Sequence, residues 1–204
     1  MGSKYQLKNN SIYYEDSSVA INKLNITNEQ VIQYLEEKLI EEAYIVFSKE
    51  LHKDIVFDES YFKQLHKRTL GTLYEWAGKY RDFNMAKGDS RFCQGEFVES
   101  SSKKIFDELA KDNYLKDYKN KAKSEFASKL AYYKCEINAL HPFYEHNGRI
   151  TRLFFDMIAL YNGYEPIDYS KVSPKEYIDK AIECVLYADS NGFENIILNG
   201  LNKK

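Results

Sequence analysis

The chain has 204 residues, with 29 Lys and Arg against 31 Asp and Glu, a net charge of -2 and a hydrophobic fraction of 44%. That balance argues against a nucleic-acid or membrane surface spread over the molecule, and the length suits a single domain. No charged-then-apolar leader pattern opens the sequence and no apolar run approaches the roughly 20 residues that span a bilayer, so a soluble cytoplasmic protein is expected.

Helical periodicity dominates the chain order. Apolar residues recur at Val31, Leu35, Leu39, Ala43 and Phe47, which predicts a helix from about 28 to 53 with Thr27 or Asn28 as cap. A second helix is predicted from about Ser60 to Trp76. Between 78 and 96 the glycines Gly78, Gly88 and Gly95 interrupt this pattern, and Ala86 to Ser90 reads as a turn joining short strands at Phe83–Met85 and Arg91–Cys93. Helices follow at about 95–109 and 123–140, the latter ended by Pro142 acting on His141. Another spans about 148–161, and Ser173-Pro174-Lys175-Glu176 is a capping box that starts a helix to about Tyr187. A last short helix is expected at about 189–199. The predicted fold class is all-α, a single domain over 1–204 with one β-hairpin. Cys93, Cys135 and Cys184 are odd in number and form no CxxC pair, so no disulfide is expected and they read as buried small hydrophobes. His52 and His66 read as surface or helix-packing residues.

Chemistry concentrates at His141-Pro142-Phe143-Tyr144-Glu145-His146-Asn147-Gly148-Arg149-Ile150-Thr151-Arg152. A potential base ends one helix, a carboxylate follows, and an Asn-Gly turn opens the next helix, whose unsatisfied amides and dipole attract anions. Arg149 and Arg152 share a helical face. Glu145 beside a phosphate suits Mg²⁺, which takes one or two carboxylates together with phosphate oxygens and water.

This segment resembles the signature HPFx[D/E]GN[G/K]RxxR of the Fic family. Tyr74-Glu75-Trp76-Ala77-Gly78-Lys79-Tyr80-Arg81 and Asn84-Met85-Ala86-Lys87-Gly88 are similar to the family's lead into its flap hairpin, here about 79–95. The resemblance implies a protein adenylyltransferase that moves AMP from ATP to a Tyr, Thr or Ser hydroxyl of a target protein. It implies His141 as general base, Glu145 as the Mg²⁺ ligand and His146, Asn147, Gly148, Arg149 and Arg152 around the phosphates. Phe143 is implied as a buried anchor, and Asn84, Met85, Ala86 and Lys87 as the flap that docks the target. The usual motif has Gly where His146 stands, which raises the alternative of another donor nucleotide or group.

Ser190 to Asn195 fits the family's inhibitory pattern [S/T]xxxE[G/N], with Glu194 implied to pair with Arg152 and Ser190 to belong to the same element. Self-association with automodification is implied for relatives of that class, with Tyr187 as a candidate acceptor. The competing reading from another class is a helical binding module with a degenerate site. An HNH nuclease fits poorly, because its ββα-metal frame and second downstream His are missing.

Overall fold

The computed structural model describes residues 6–7 and 12–204. In chain order its elements are β1 (Gln6–Leu7), α1 (Glu29–Lys49), α2 (Glu59–Leu70), β2 (Met85–Lys87), β3 (Ser90–Arg91), α3 (Val98–Lys111), α4 (Lys123–Leu140), α5 (Asn147–Tyr161), α6 (Pro174–Tyr187) and α7 (Asn191–Gly200).

Local signals account for most helix starts. The Asn28 side chain accepts from Val31 N–H at α1, Asp58 accepts from Tyr61 N–H at α2, and Ser173 accepts from Glu176 N–H at α6, where Pro174 occupies the first turn. α2 stops at Leu70, short of the predicted Trp76. Beyond Gly71 the apolar residues leave the helical register: Leu73, Tyr74 and Ala77 pack with Tyr13, Val19, Ala20, Ile32 and Met85 in a second, smaller core.

The main core is built on α4 and α5, which are apolar on most sides. Phe126, Leu130, Ile137 and Leu140 of α4, and Leu153 to Ala159 of α5, are buried. α3, α6 and α7 pack on α4, while α1 and α2 pack on α5. The α4–α5 pair therefore forms the frame, and the join between them is held from both sides.

α4 also contains Lys134, fully buried, its ammonium lacking a hydrogen-bond partner. The rings of Phe155, Tyr169, Tyr177 and Phe193 surround it at 5.4–5.8 Å, so cation–π attraction replaces hydration. The cysteine expectation is corrected beside it. Cys135 and Cys184 form a disulfide between α4 and α6, with 5.2 Å between their Cα atoms; only Cys93 is free. Their separation of 49 residues conceals the pairing in the sequence, and it is the side-by-side packing of the two helices that makes it.

The hairpin is tighter than predicted. Ala86 faces Arg91 and Lys87 faces Ser90, leaving Gly88-Asp89 as the loop. Gly88 has φ +56°, the positive value that a primed turn needs at its first loop position. β1 adds to the other side of β2, Gln6 opposite Ala86 and Leu7 opposite Met85, so the sheet has three strands in the order β1-β2-β3.

Candidate active site

His141 stands at the C-cap of α4 in a left-handed conformation, φ +47°, its N–H bonded to Ile137 O. Pro142 disfavours α geometry there, and Arg81 supplies the support. This buried guanidinium donates to the carbonyls of His141 (2.7 Å), Leu140 (3.0 Å), Phe83 (2.5 Å) and Cys93 (2.6 Å). It thus bonds the flap to the end of α4 while satisfying carbonyls that a helix end leaves bare.

Phe92, next to β3, stacks on the His141 imidazole at 3.8 Å and 14°. Burial, the Arg81 charge and, more weakly, Lys87 lower the His141 pKa to about 3, against an opposing hydrogen bond with the Asn138 backbone. At neutral pH the ring is uncharged and able to accept a proton.

The turn after His141 is pinned from inside. Phe143 is fully buried, stacked on His66 at 3.9 Å and set against Phe62 and Tyr80, as an anchor should be. Asn147 closes the turn on itself: its Oδ1 accepts from Phe143 N–H and its Nδ2 donates to Phe143 O, each at 2.8 Å. Gly148, by contrast, is exposed, with nothing within 4 Å of where a Cβ would lie. The start of α5 is therefore open toward an incoming anion.

His66 was not singled out by the sequence, yet it supports this turn. Its Nδ1 accepts from Gly78 N–H at 2.8 Å, which leaves Nε2–H to donate to Glu145 O at 3.2 Å. Burial holds its pKa down to about 3, so that tautomer persists. The Glu145 carboxylate accepts from Tyr13 O–H and, at 3.4 Å, from His146 N–H.

His146 does take the left-handed backbone, φ +63°. Its ring turns inward, buried, and Nε2–H donates to Glu36 at 2.8 Å. Glu36 of α1 also accepts from Tyr74 O–H at 2.6 Å and from both terminal nitrogens of Arg149 at 3.2 Å. Burial pushes the Glu36 carboxyl up, but His146, Tyr74 and Arg149 together overcome this and lower it to about 2. Glu36 was missed because it sits in an ordinary amphipathic helix. The one available signal is its register, with Ile32, Ala43 and Phe47 on the buried face of α1.

Arg152 shares the α5 face with Arg149 but lies over the Tyr177 ring at 5.7 Å. Among the described residues no ion pair joins it to Glu194. α7 is seated on α4 and α6 through the buried Phe193 and Ile197, and Ser190 makes no side-chain cap bond. In the flap, Met85 is buried in the smaller core, Asn84 is exposed while its side chain accepts from Gly95 N–H at 2.9 Å, Ala86 is half-buried and Lys87 is exposed.

A neutral imidazole, a buried carboxylate and a helix start carrying arginines, all beneath a β flap, define a phosphate-handling transferase site on a helical frame. The family model described as Fic/DOC matches residues 56–159. The chain belongs to the Fic/DOC family. It is 31% identical over 179 residues to y4lH of Sinorhizobium fredii, named a probable protein adenylyltransferase, covering 88% of this chain and 90% of that one. It is 32% identical over 203 residues to the protein adenylyltransferase VbhT of Bartonella schoenbuchensis, covering 98% of this chain but 41% of VbhT. Among solved structures, the N-terminal Fic domain of a VirB-translocated effector from Bartonella quintana aligns with a TM-score of 0.80 at 22% identity, covering 95% of this chain and 92% of that one. BepC of Bartonella tribocorum with bound AMPPNP aligns with a TM-score of 0.79 at 21% identity, covering 95% of this chain and 97% of that one. At those identities the structures speak for the fold alone.

Proposed function

We propose that this protein is an adenylyltransferase that moves AMP from ATP onto a hydroxyl side chain of a target protein. The observation that carries this reading is the α4–α5 join, where a neutral His141 flanks the open start of α5 and its arginines. The target oxygen attacks the α-phosphorus and its proton passes to His141. The bond from that phosphorus to the oxygen bridging toward the β-phosphate breaks, and pyrophosphate leaves with the electron pair. The α5 amides at Asn147 and Gly148 and the guanidinium groups of Arg149 and Arg152 hold the phosphate oxygens. This is catalysis by positioning and charge stabilisation, with base catalysis adding roughly 10²–10⁴-fold.

Glu145 is the residue that would hold Mg²⁺. Among the described residues it belongs to no group of three or more potential His, Cys, Asp or Glu ligands. A single carboxylate completed by phosphate oxygens and water fits the habits of this ion, which would supply charge neutralisation at the α/β oxygens. The inward turn of the His146 ring keeps it clear of the open helix start and so favours ordinary ATP use over another donor.

The target segment is proposed to pair with the flap in extended form. β2 already carries β1 on one edge and β3 on the other, so a target reaches β2 only by taking the place of β1. Inhibition by α7 would need Glu194 to reach Arg152, and the burial of Phe193 and Ile197 argues that the helix stays seated. Tyr187, 73% exposed at the end of α6, is the proposed acceptor for automodification between copies, to be checked by peptide mapping.

The experiment compares ATP labelled at the α-phosphate with ATP labelled at the γ-phosphate, with Mg²⁺ and acceptor protein. Label from the α position alone supports AMP transfer. Label from the γ position would identify phosphoryl transfer and overturn the reading.

A further inference from the structure

Glu36 is a buried carboxylate on α1, which with Glu29, Ile32 and Gln33 lines a small cavity beside Glu145, His146 and Arg149, and both of its oxygens face the phosphate-binding turn. Oε1 accepts from Tyr74 O–H at 2.6 Å and from His146 Nε2–H at 2.8 Å; Oε2 accepts from the two terminal nitrogens of Arg149 at 3.2 Å each. A carboxylate with 9% of its side chain exposed survives burial only when its lone pairs are filled in this way.

Each oxygen has its own task. The turn at residue 146 needs φ +63°, which glycine adopts freely and which costs a residue with a Cβ. With His there, the ring must also be kept off the helix start. Glu36 draws it inward, alongside Tyr74, whose ring centroid lies 6.0 Å from that of His146. The other oxygen grips one edge of the Arg149 guanidinium. Five N–H donors in a planar fork leave Arg149 able to serve both Glu36 and an anion, and its side chain is 29% exposed. The buried Nδ1 of His146 has no hydrogen-bond partner, so Glu36 is what holds the ring.

We infer that Glu36 is a positioning residue for the nucleotide phosphates, acting through Arg149 and through His146, and that Glu36 and His146 work as one unit in which the carboxylate makes a non-glycine turn usable. This rests on the reading of Arg149 as a phosphate ligand.

The test measures the dissociation constant for a non-hydrolysable ATP analogue with Mg²⁺, KM and kcat for AMP transfer, and melting temperature. The variants are Glu36→Gln, Glu36→Ala, His146→Gly, Glu36→Gln with His146→Gly, and Arg149→Ala. Glu36→Gln keeps an oxygen that accepts from Tyr74 and His146 while losing the charge on Arg149, so nucleotide binding and KM weaken by about tenfold, and more in Glu36→Ala. In the His146→Gly background the Glu36→Gln penalty shrinks, because the neutral amide's weaker hold on the His146 ring no longer matters and only the lost charge on Arg149 remains; the two changes are less than additive. A lowered melting temperature with unchanged dissociation constant and KM would show that Glu36 merely fills the core, and tighter binding in Glu36→Gln would make it a competitor of the phosphates; either overturns the inference. Arg149→Ala separates the underlying reading. If it leaves the dissociation constant unchanged, Arg149 is no phosphate ligand and the inference falls with that reading. If it weakens binding while the Glu36 variants do not, only the inference falls.

Discussion

Phe92 lies flat on the imidazole of His141, ring centroids 3.8 Å apart, so the flap shields the proposed catalytic base as well as flanking it. Burial is the largest cause of the low His141 pKa of about 3. A base works in its deprotonated form, above its pKa, so a lowered pKa extends activity toward acid. Transfer by the wild-type protein should stay level from neutral pH down to about pH 5, where an ordinary histidine with a pKa of about 6.5 would be largely protonated. Phe92→Ala hydrates the ring, so its kcat should gain an acid limb that moves toward that ordinary value. A pH–rate profile of both proteins checks this, and an identical profile for the two would contradict it.

β1 pairs with the strand edge at which a target segment is proposed to dock. Removing residues 1–11 should therefore raise transfer to an added acceptor protein, read as a lower KM for the acceptor at unchanged KM for ATP. No change in acceptor KM would mean that targets dock elsewhere.

The Cys135–Cys184 bond closes a loop across a separation of 49 residues. In the chain-entropy model this is worth about 4 kcal/mol. Cys184→Ser should lower the denaturation midpoint accordingly, and reductant should lower the wild-type protein to a similar level while leaving Cys184→Ser unaffected. Urea melts with and without reductant measure both.

Lys134 is buried among rings without a hydrogen bond, and its charge acts on the buried Asp156 carboxylate. Removing one member of a buried charge pair typically costs about 3–5 kcal/mol, because the other charge is left uncompensated. Lys134→Met should thus unfold at lower urea concentration. An unchanged or raised midpoint would show that the charge is not needed where it lies.

The sequence made the helical frame and the candidate turn legible because their determinants are local. The apolar period of α4, Pro142, the Ser173 box and the His141–Arg152 spacing each lie within a few turns of chain. What stayed hidden depends on pairings across the fold. Glu36 reaches residues 110 and 113 positions away, and Tyr13 reaches Glu145 over 132. His66 gains its role from Gly78 and Glu145, neither in any recognisable spacing with it. The Glu194 pattern fitted locally, but Phe193 and Ile197 decided where that helix would lie.

The most direct test of the account is to compare wild type and His141→Ala for two quantities: binding of a non-hydrolysable ATP analogue, and transfer of label from ATP marked at the α-phosphate. His141→Ala should bind the nucleotide as the wild type does and lose transfer by about a hundredfold or more. Transfer that survives the substitution would contradict the assignment of His141 as the base.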